Sequence, residues 1–175
     1  MTTQAFKESG MTFGPYSDDH CFRIEESDTW KTIQPKVKIA EFLLLKPEKT
    51  PLSLWIIEAK QSAPRAESQP NFPAFIEEIC EKFVNTLTLG IASILKRHPL
   101  AALELPLSFQ RLNLTTTTFR LVLIINGHQK AWLPPLQDAL RIALQTTTQT
   151  WNLGPNTVAV INHESAKQFG LISAC

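Results

Sequence analysis

Two glutamates and a lysine within residues 37–60 carry the groups best suited to chemistry in this chain. Glu41 lies inside an otherwise apolar run, Val37-Lys38-Ile39-Ala40-Glu41-Phe42-Leu43-Leu44-Leu45, and Glu58 and Lys60 close a second run that begins at Leu54. Strand side chains alternate between faces, so Val37, Ile39, Glu41, Leu43 and Leu45 share one side, and Leu54, Ile56, Glu58 and Lys60 share another. If those two sides coincide, both carboxylates and the ammonium meet at one spot on an apolar surface. Ionised groups are expensive there unless they are paired or hold a metal. Two adjacent carboxylates repel, and a divalent cation relieves the repulsion; a plain ion pair between Lys60 and Glu58 is the alternative. An isolated Glu-x-Lys triplet is weak. Its weight here comes from the apolar run ahead of it and the second carboxylate upstream.

The elements that must position these groups follow from pattern. Lys46-Pro47-Glu48-Lys49-Thr50-Pro51 reads as the turn of an antiparallel hairpin between the two runs. Residues 1–19, with Gly10, Gly14, Pro15 and Asp18-Asp19, read as a flexible lead-in, and residues 20–175 as a single domain. Residues 20–27 form a short extended or helical piece, and Ser27 is placed to cap a helical turn over residues 30–34 that Pro35 ends. After Lys60, the polar residues 61–70 form a loop of the kind that carries binding groups. A long helix then starts near Pro73, with Phe75, Ile79, Phe83, Leu87, Ile91 and Leu95 inward and Glu77, Glu78, Glu81 and Lys82 mostly outward. Pro99 closes it. Residues 99–118 read as irregular or briefly helical, 119–126 as a buried strand, and 136–150 as a helix with Leu136, Leu140, Ile142 and Leu144 inward. A strand over 157–162 and a turn over 165–169 complete the chain. This alternation predicts an α/β fold, a central mixed sheet flanked by helices.

Composition narrows the function classes. The formal net charge of +1 leaves no global basic field for gripping nucleic acid, so such binding needs a local patch. No apolar run approaches bilayer length, and the first residues lack the core of a secretion signal, which makes a cytoplasmic location the expectation. Cys21, Cys80 and Cys175 are odd in number and far apart, against a disulfide framework, and no Cys/His spacing suits structural zinc. There is no Gly-x-Ser-x-Gly elbow, and Gly90 and Gly127 form no phosphate loop. His20 and Cys21 are sequence neighbours, which point apart on a strand and so make a poor nucleophile pair. His98, His128 and His163 are dispersed.

With an acid on one strand, Glu58-Ala59-Lys60 on the next, and a helix and strand after them, the chain resembles the PD-(D/E)xK nuclease-like (restriction-endonuclease-like) superfamily. That superfamily has an αβββαβ core, and the likeness covers roughly residues 20–130, with its specific part at the hairpin. Two departures stand out: Glu rather than Asp at position 41, and Ala40 rather than Pro before it. The resemblance implies a nuclease in which Glu41, Glu58 and the Ala59 carbonyl hold Mg²⁺ (or Mn²⁺) and Lys60 serves the attacking water. It also implies an earlier catalytic acid, Glu25 with Glu26 the alternative. Gln61, Ser62, Arg65, Lys36 and Lys38 become candidate contacts to the substrate backbone. The implied partners are nucleic acid, DNA foremost, and a second copy in a homodimer, with no membrane. Some members have lost catalysis, so a silent module binding protein or nucleic acid is the other expectation.

Overall fold

The computed structural model describes residues 2–47 and 52–173. Its chain begins with a hairpin, β1 (Thr3–Glu8) and β2 (Met11–Ser17), closed by Ser9-Gly10. Both turn residues have positive φ, 49° and 74°, as a two-residue turn matched to the right-handed twist of its strands requires. The expectation of a flexible lead-in is therefore corrected over residues 3–17. The reason is aromatic burial: Phe6 stacks on Phe13 with centroids 5.7 Å apart, and both meet Phe42 edge-on at 5.1 and 5.2 Å.

Five strands form the main sheet: β3 (Cys21–Phe22), β4 (Phe42–Lys46), β5 (Ser53–Lys60), β6 (Thr118–Ile125) and β7 (Val158–Asn162), in that spatial order. The first three make an antiparallel meander, and β6 and β7 run parallel to β5. The mixed sheet flanked by helices is as the pattern predicts. A helix leading the meander is not what is found among the described residues. The hairpin stands there instead, and a 3-10 turn (Ile24–Glu26) and α1 (Asp28–Lys31) fall between β3 and β4. Ser27 caps α1, its Oγ accepting from the Trp30 N–H at 3.1 Å. The connection from β4 to β5 lies partly, over residues 48–51, outside the described residues, as does Cys175.

Parallel pairing needs a crossover between strands. α2 (Asn71–Ile94) supplies the first, followed by the short α3 (Ala101–Glu104) and α4 (Leu107–Gln110); α5 (Leu133–Ala143) and α6 (Gln145–Thr150) supply the second, and α7 (His163–Gln168) follows β7. Alternation along the strands divides the core into two layers. Leu43, Leu45, Leu54 and Ile56 pack with Ile79, Phe83, Leu136 and Leu140 of α2 and α5. Phe42, Leu44, Trp55 and Ile57 pack with Met11 and Phe13 of the hairpin and Ala166 of α7. Two residues expected inward are not: Leu95 is 61% and Ile142 73% exposed. Ile142 sits two positions from the buried Leu140, about 200° round the helix, and Leu95 falls where the chain turns out through Lys96 at φ 56°. Among the described residues no helix is long and apolar enough to cross a membrane.

Phe13 is fully buried between the hairpin and the sheet. Phe13→Ala is expected to destabilise the protein by about 3–5 kcal/mol in urea denaturation. A loss below about 1 kcal/mol belongs to surface positions and would mean that the hairpin is not docked.

Candidate metal centre

The site begins with strand register. β4 begins at Phe42, paired with Ile57, and Glu41 just ahead of it donates its N–H to the Ile57 carbonyl at 3.1 Å, one residue before Glu58 in β5. Glu58 is fully buried and Glu41 only 8% exposed. Lys60, two residues on, shares the Glu58 face and lies 3.4 Å from Glu58 Oε1. The three side chains singled out by spacing thus meet at one place.

Two groups on α2 join them that were expected to point outward. Lys82 Nζ lies 2.7 Å from Glu58 Oε1 and 3.8 Å from Glu41 Oε1, and Glu78 Oε1 receives Lys60 Nζ at 2.8 Å. Residues 78, 82 and 86 form an i, i+4 row beside the apolar stripe of Ile79, Phe83 and Leu87, so they border the sheet rather than solvent. The buried Thr86 is the signal that could have shown this. Its Oγ1 donates to the Lys82 carbonyl and accepts from the Ala40 N–H, both at 2.7 Å. That contact ties the residue before Glu41 to the helix that carries Lys82.

On the other side of Glu41 lie Glu25 and Glu8. One ligand oxygen from each of Glu8, Glu25 and Glu41 falls within 4.8 Å of the others. Of the two early acids, Glu26 is exposed and paired with Arg23 at 2.8 Å, so the geometry brings Glu25 to the cluster. Glu8 went unsuspected because it sits in the segment read as a lead-in. The hairpin tip delivers it: Asn126 Nδ2 donates to the Ser9 carbonyl at 3.2 Å, and Ser9 Oγ donates to the Ala59 carbonyl at 3.0 Å. The positive φ at Gly10 favours glycine, and a Cβ there would come within 2.7 Å of Asn126 Nδ2 and displace that amide from the tip.

The remaining candidates sit around this cluster. Gln61 and Ser62 are exposed beyond the end of β5, Gln61 against the hairpin tip. Arg65 is exposed and lies over the Trp132 ring at 4.5 Å. Lys38 pairs with Glu81 of α2 at 3.3 Å, and Lys36 is exposed on the approach to β4. Burial pushes the Cys21 thiol up to about 12, which removes it as a nucleophile.

Burial sets the electrostatics. It pushes the Glu58 carboxyl up to about 7, with Glu41 adding and Lys82 opposing. Glu41 rises to about 8, through burial first, then proton sharing with Glu25 and the charges of Glu25 and Glu8. Burial works against the Lys60 ammonium, yet the bond to Glu78 and the Glu58 charge hold its pKa above the ordinary value. Glu58 Oε2 is buried with no hydrogen-bond partner. Such a carboxylate set suits a hard cation. Adjacent ligand oxygens of Mg²⁺ lie about 3 Å apart, so Glu8, Glu25 and Glu41, whose oxygens lie within 4.8 Å of one another, must draw together to share one. The Ala59 carbonyl, already accepting from Ser9, keeps a second lone pair for a ligand role.

Both carboxyl pKa values stand above the ordinary 4.5, so between that pH and 7–8 the folded state holds protons that the unfolded state has released. Stability is then full below pH 4.5 and falls as pH rises through 7–8. The melting temperature without metal is expected to drop from about pH 5 to about pH 8, and Glu58→Gln to flatten that drop. Lys82→Met, which strands the buried Glu58 charge, is expected to cost about 3–5 kcal/mol at the upper pH and much less at the lower.

No family model matches the chain, and no curated protein and no solved structure matches it.

Proposed function

We propose that the chain is a Mg²⁺- or Mn²⁺-dependent nuclease, hydrolysing phosphodiester bonds of nucleic acid, DNA foremost, with Glu41, Glu58 and the Ala59 carbonyl as cation ligands and Lys60 as the catalytic ammonium. The observation that carries the reading is Glu58: fully buried, sharing the Lys82 ammonium with a second carboxylate, Glu41, and with one oxygen unpartnered. Bound there, the cation would lower the pKa of a water and neutralise charge developing on the phosphate.

The chain's own groups have matching tasks. Glu78 anchors the Lys60 ammonium, whose side chain is 25% exposed and reaches from the buried carboxylates toward solvent. An ammonium has three donors, which leaves one to orient a water or a phosphate oxygen. Glu25 adds negative charge beside Glu41, where a cation would be held. Strands β5, β6 and β7 are parallel and end together here, and open α/β sheets place ligands outside the carboxyl ends of their strands. Gln61, Ser62 and Arg65 follow the end of β5 and are exposed to meet a substrate backbone.

One observation favours a catalytically silent binding module on the same sheet: Lys82 and Lys60 both lie within ion-pair distance of Glu58 and between them can balance its charge. Cleavage of single- and double-stranded DNA and RNA with Mn²⁺ separates the two readings. Lys60→Ala and Glu58→Ala are each expected to lower cleavage by at least about a hundredfold. Activity that survives both substitutions removes the site. A wild-type protein that neither cleaves nor gains heat stability with Mg²⁺ or Mn²⁺ belongs to the silent reading.

A further inference from the structure

Glu8 lies outside the strands and helices that resemble the nuclease core, yet its carboxylate stands beside Glu25 and Glu41 with ligand oxygens within 4.8 Å. Among the described residues, ion pairs reach the other two members, Arg23 to Glu25 at 3.5 Å and Lys82 to Glu41 at 3.8 Å, but none reaches Glu8. The element that presents it is anchored twice. Its aromatic side chains pack on Phe42, the neighbour of Glu41, and its tip is bonded to Ala59 and Asn126 at the ends of β5 and β6. Glu58, close enough to feel the Glu41 charge, pairs one oxygen with Lys82 and Lys60 and keeps the other fully buried without a hydrogen-bond partner, a second and separate observation of an unmet acceptor beside Glu41.

We infer that Glu8 is a further ligand of the cation held at Glu41, so that a divalent cation clamps the N-terminal hairpin onto the sheet. The inference rests on the proposed cation site and adds to it a residue and an element. The three carboxylates belong to three separate pieces of chain, the hairpin, the 3-10 turn and the segment that enters β4. A cation shared among them is favoured only while all three are in place, and by linkage it stabilises their docking by the same factor that docking strengthens its binding.

The test is a Mn²⁺ titration by calorimetry on the full chain, with amide hydrogen exchange of residues 3–17 followed in parallel. Glu8→Gln is expected to weaken Mn²⁺ binding by roughly tenfold or more, and Glu8→Asp, which keeps the charge, to weaken it less. Mn²⁺ is expected to slow exchange across β1 and β2 in the wild type and not in Glu8→Gln. Glu8 is half-buried at a strand end, and Glu8→Asp keeps the comparison readable if the amide variant docks poorly. Mn²⁺ affinity of Glu8→Gln within about twofold of wild type, while Glu58→Gln loses binding, overturns the inference and leaves the cation site standing. Weakened binding with no metal-dependent change in hairpin exchange overturns the clamp. A wild-type protein that does not bind Mn²⁺ overturns both the inference and the site beneath it.

Discussion

The arrangement depends on one buried carboxylate. Glu58 is removed from water in the middle of a sheet whose neighbouring strands are almost wholly apolar, and Glu41, at the start of the neighbouring strand, stands close enough to add its charge. An isolated charge at such a position is untenable, and the surrounding structure answers that problem. Lys82 reaches in from α2, Lys60 folds back from the end of β5, and Glu78 steadies Lys60 in turn. Even so, the cluster of Glu8, Glu25, Glu41 and Glu58 holds its protons more tightly than ordinary carboxyls at Glu41 and Glu58. A site built this way is short of positive charge, and buried carboxylates retained at such a cost are a mark of functional positions.

The positions of these groups are held by backbone more than by the charges themselves. Thr86 fixes the Ala40 N–H to α2, and Asn85 Nδ2 donates to the Lys38 carbonyl at 2.9 Å, so the approach to Glu41 is fastened to the helix that carries Lys82. On the opposite side the hairpin is held by apolar packing at its base and by hydrogen bonds at its tip. Glu41 thus stands between two elements that reach it from different faces of the sheet. Small movements of either would alter the distance between the carboxylates, which is the quantity a cation senses.

Much of the fold was legible along the chain because burial leaves a period. The run ending at Lys60, the strand ending at Ile125, and the row Ile79, Phe83, Leu87 of α2 announce themselves by spacing, and the structure places them so; of the run at 37–45 only the part from Phe42 is strand, and Glu41 stands at its threshold. Lys82 and Glu78 were misread because a helical charge beside an apolar stripe looks the same whether it meets water or a sheet edge. Ile142 and Leu95 were misread for the converse reason, since apolar residues also occur on exposed faces. The hairpin was missed because glycine, proline and aspartate dominate the eye there. Yet Phe6, Met11 and Phe13 alternate around a Ser9-Gly10 turn, a pattern of turn and strand that was there to be used.

By itself the sequence determined which residues are apolar, where most of the strands and the long helix lie, and that Glu58 and Lys60 share a face of their strand, since all of these are local consequences of side-chain period. Only the tertiary structure decided which strand faces meet, that β4 and β5 pair so as to bring Glu41 near Glu58, that Lys82 and Glu78 join them, and that Glu8 and Glu25 arrive from separate segments. Those are contacts between residues far apart in the chain. No local pattern encodes them, because they are set by how whole elements pack and by which arrangement leaves the fewest buried charges alone.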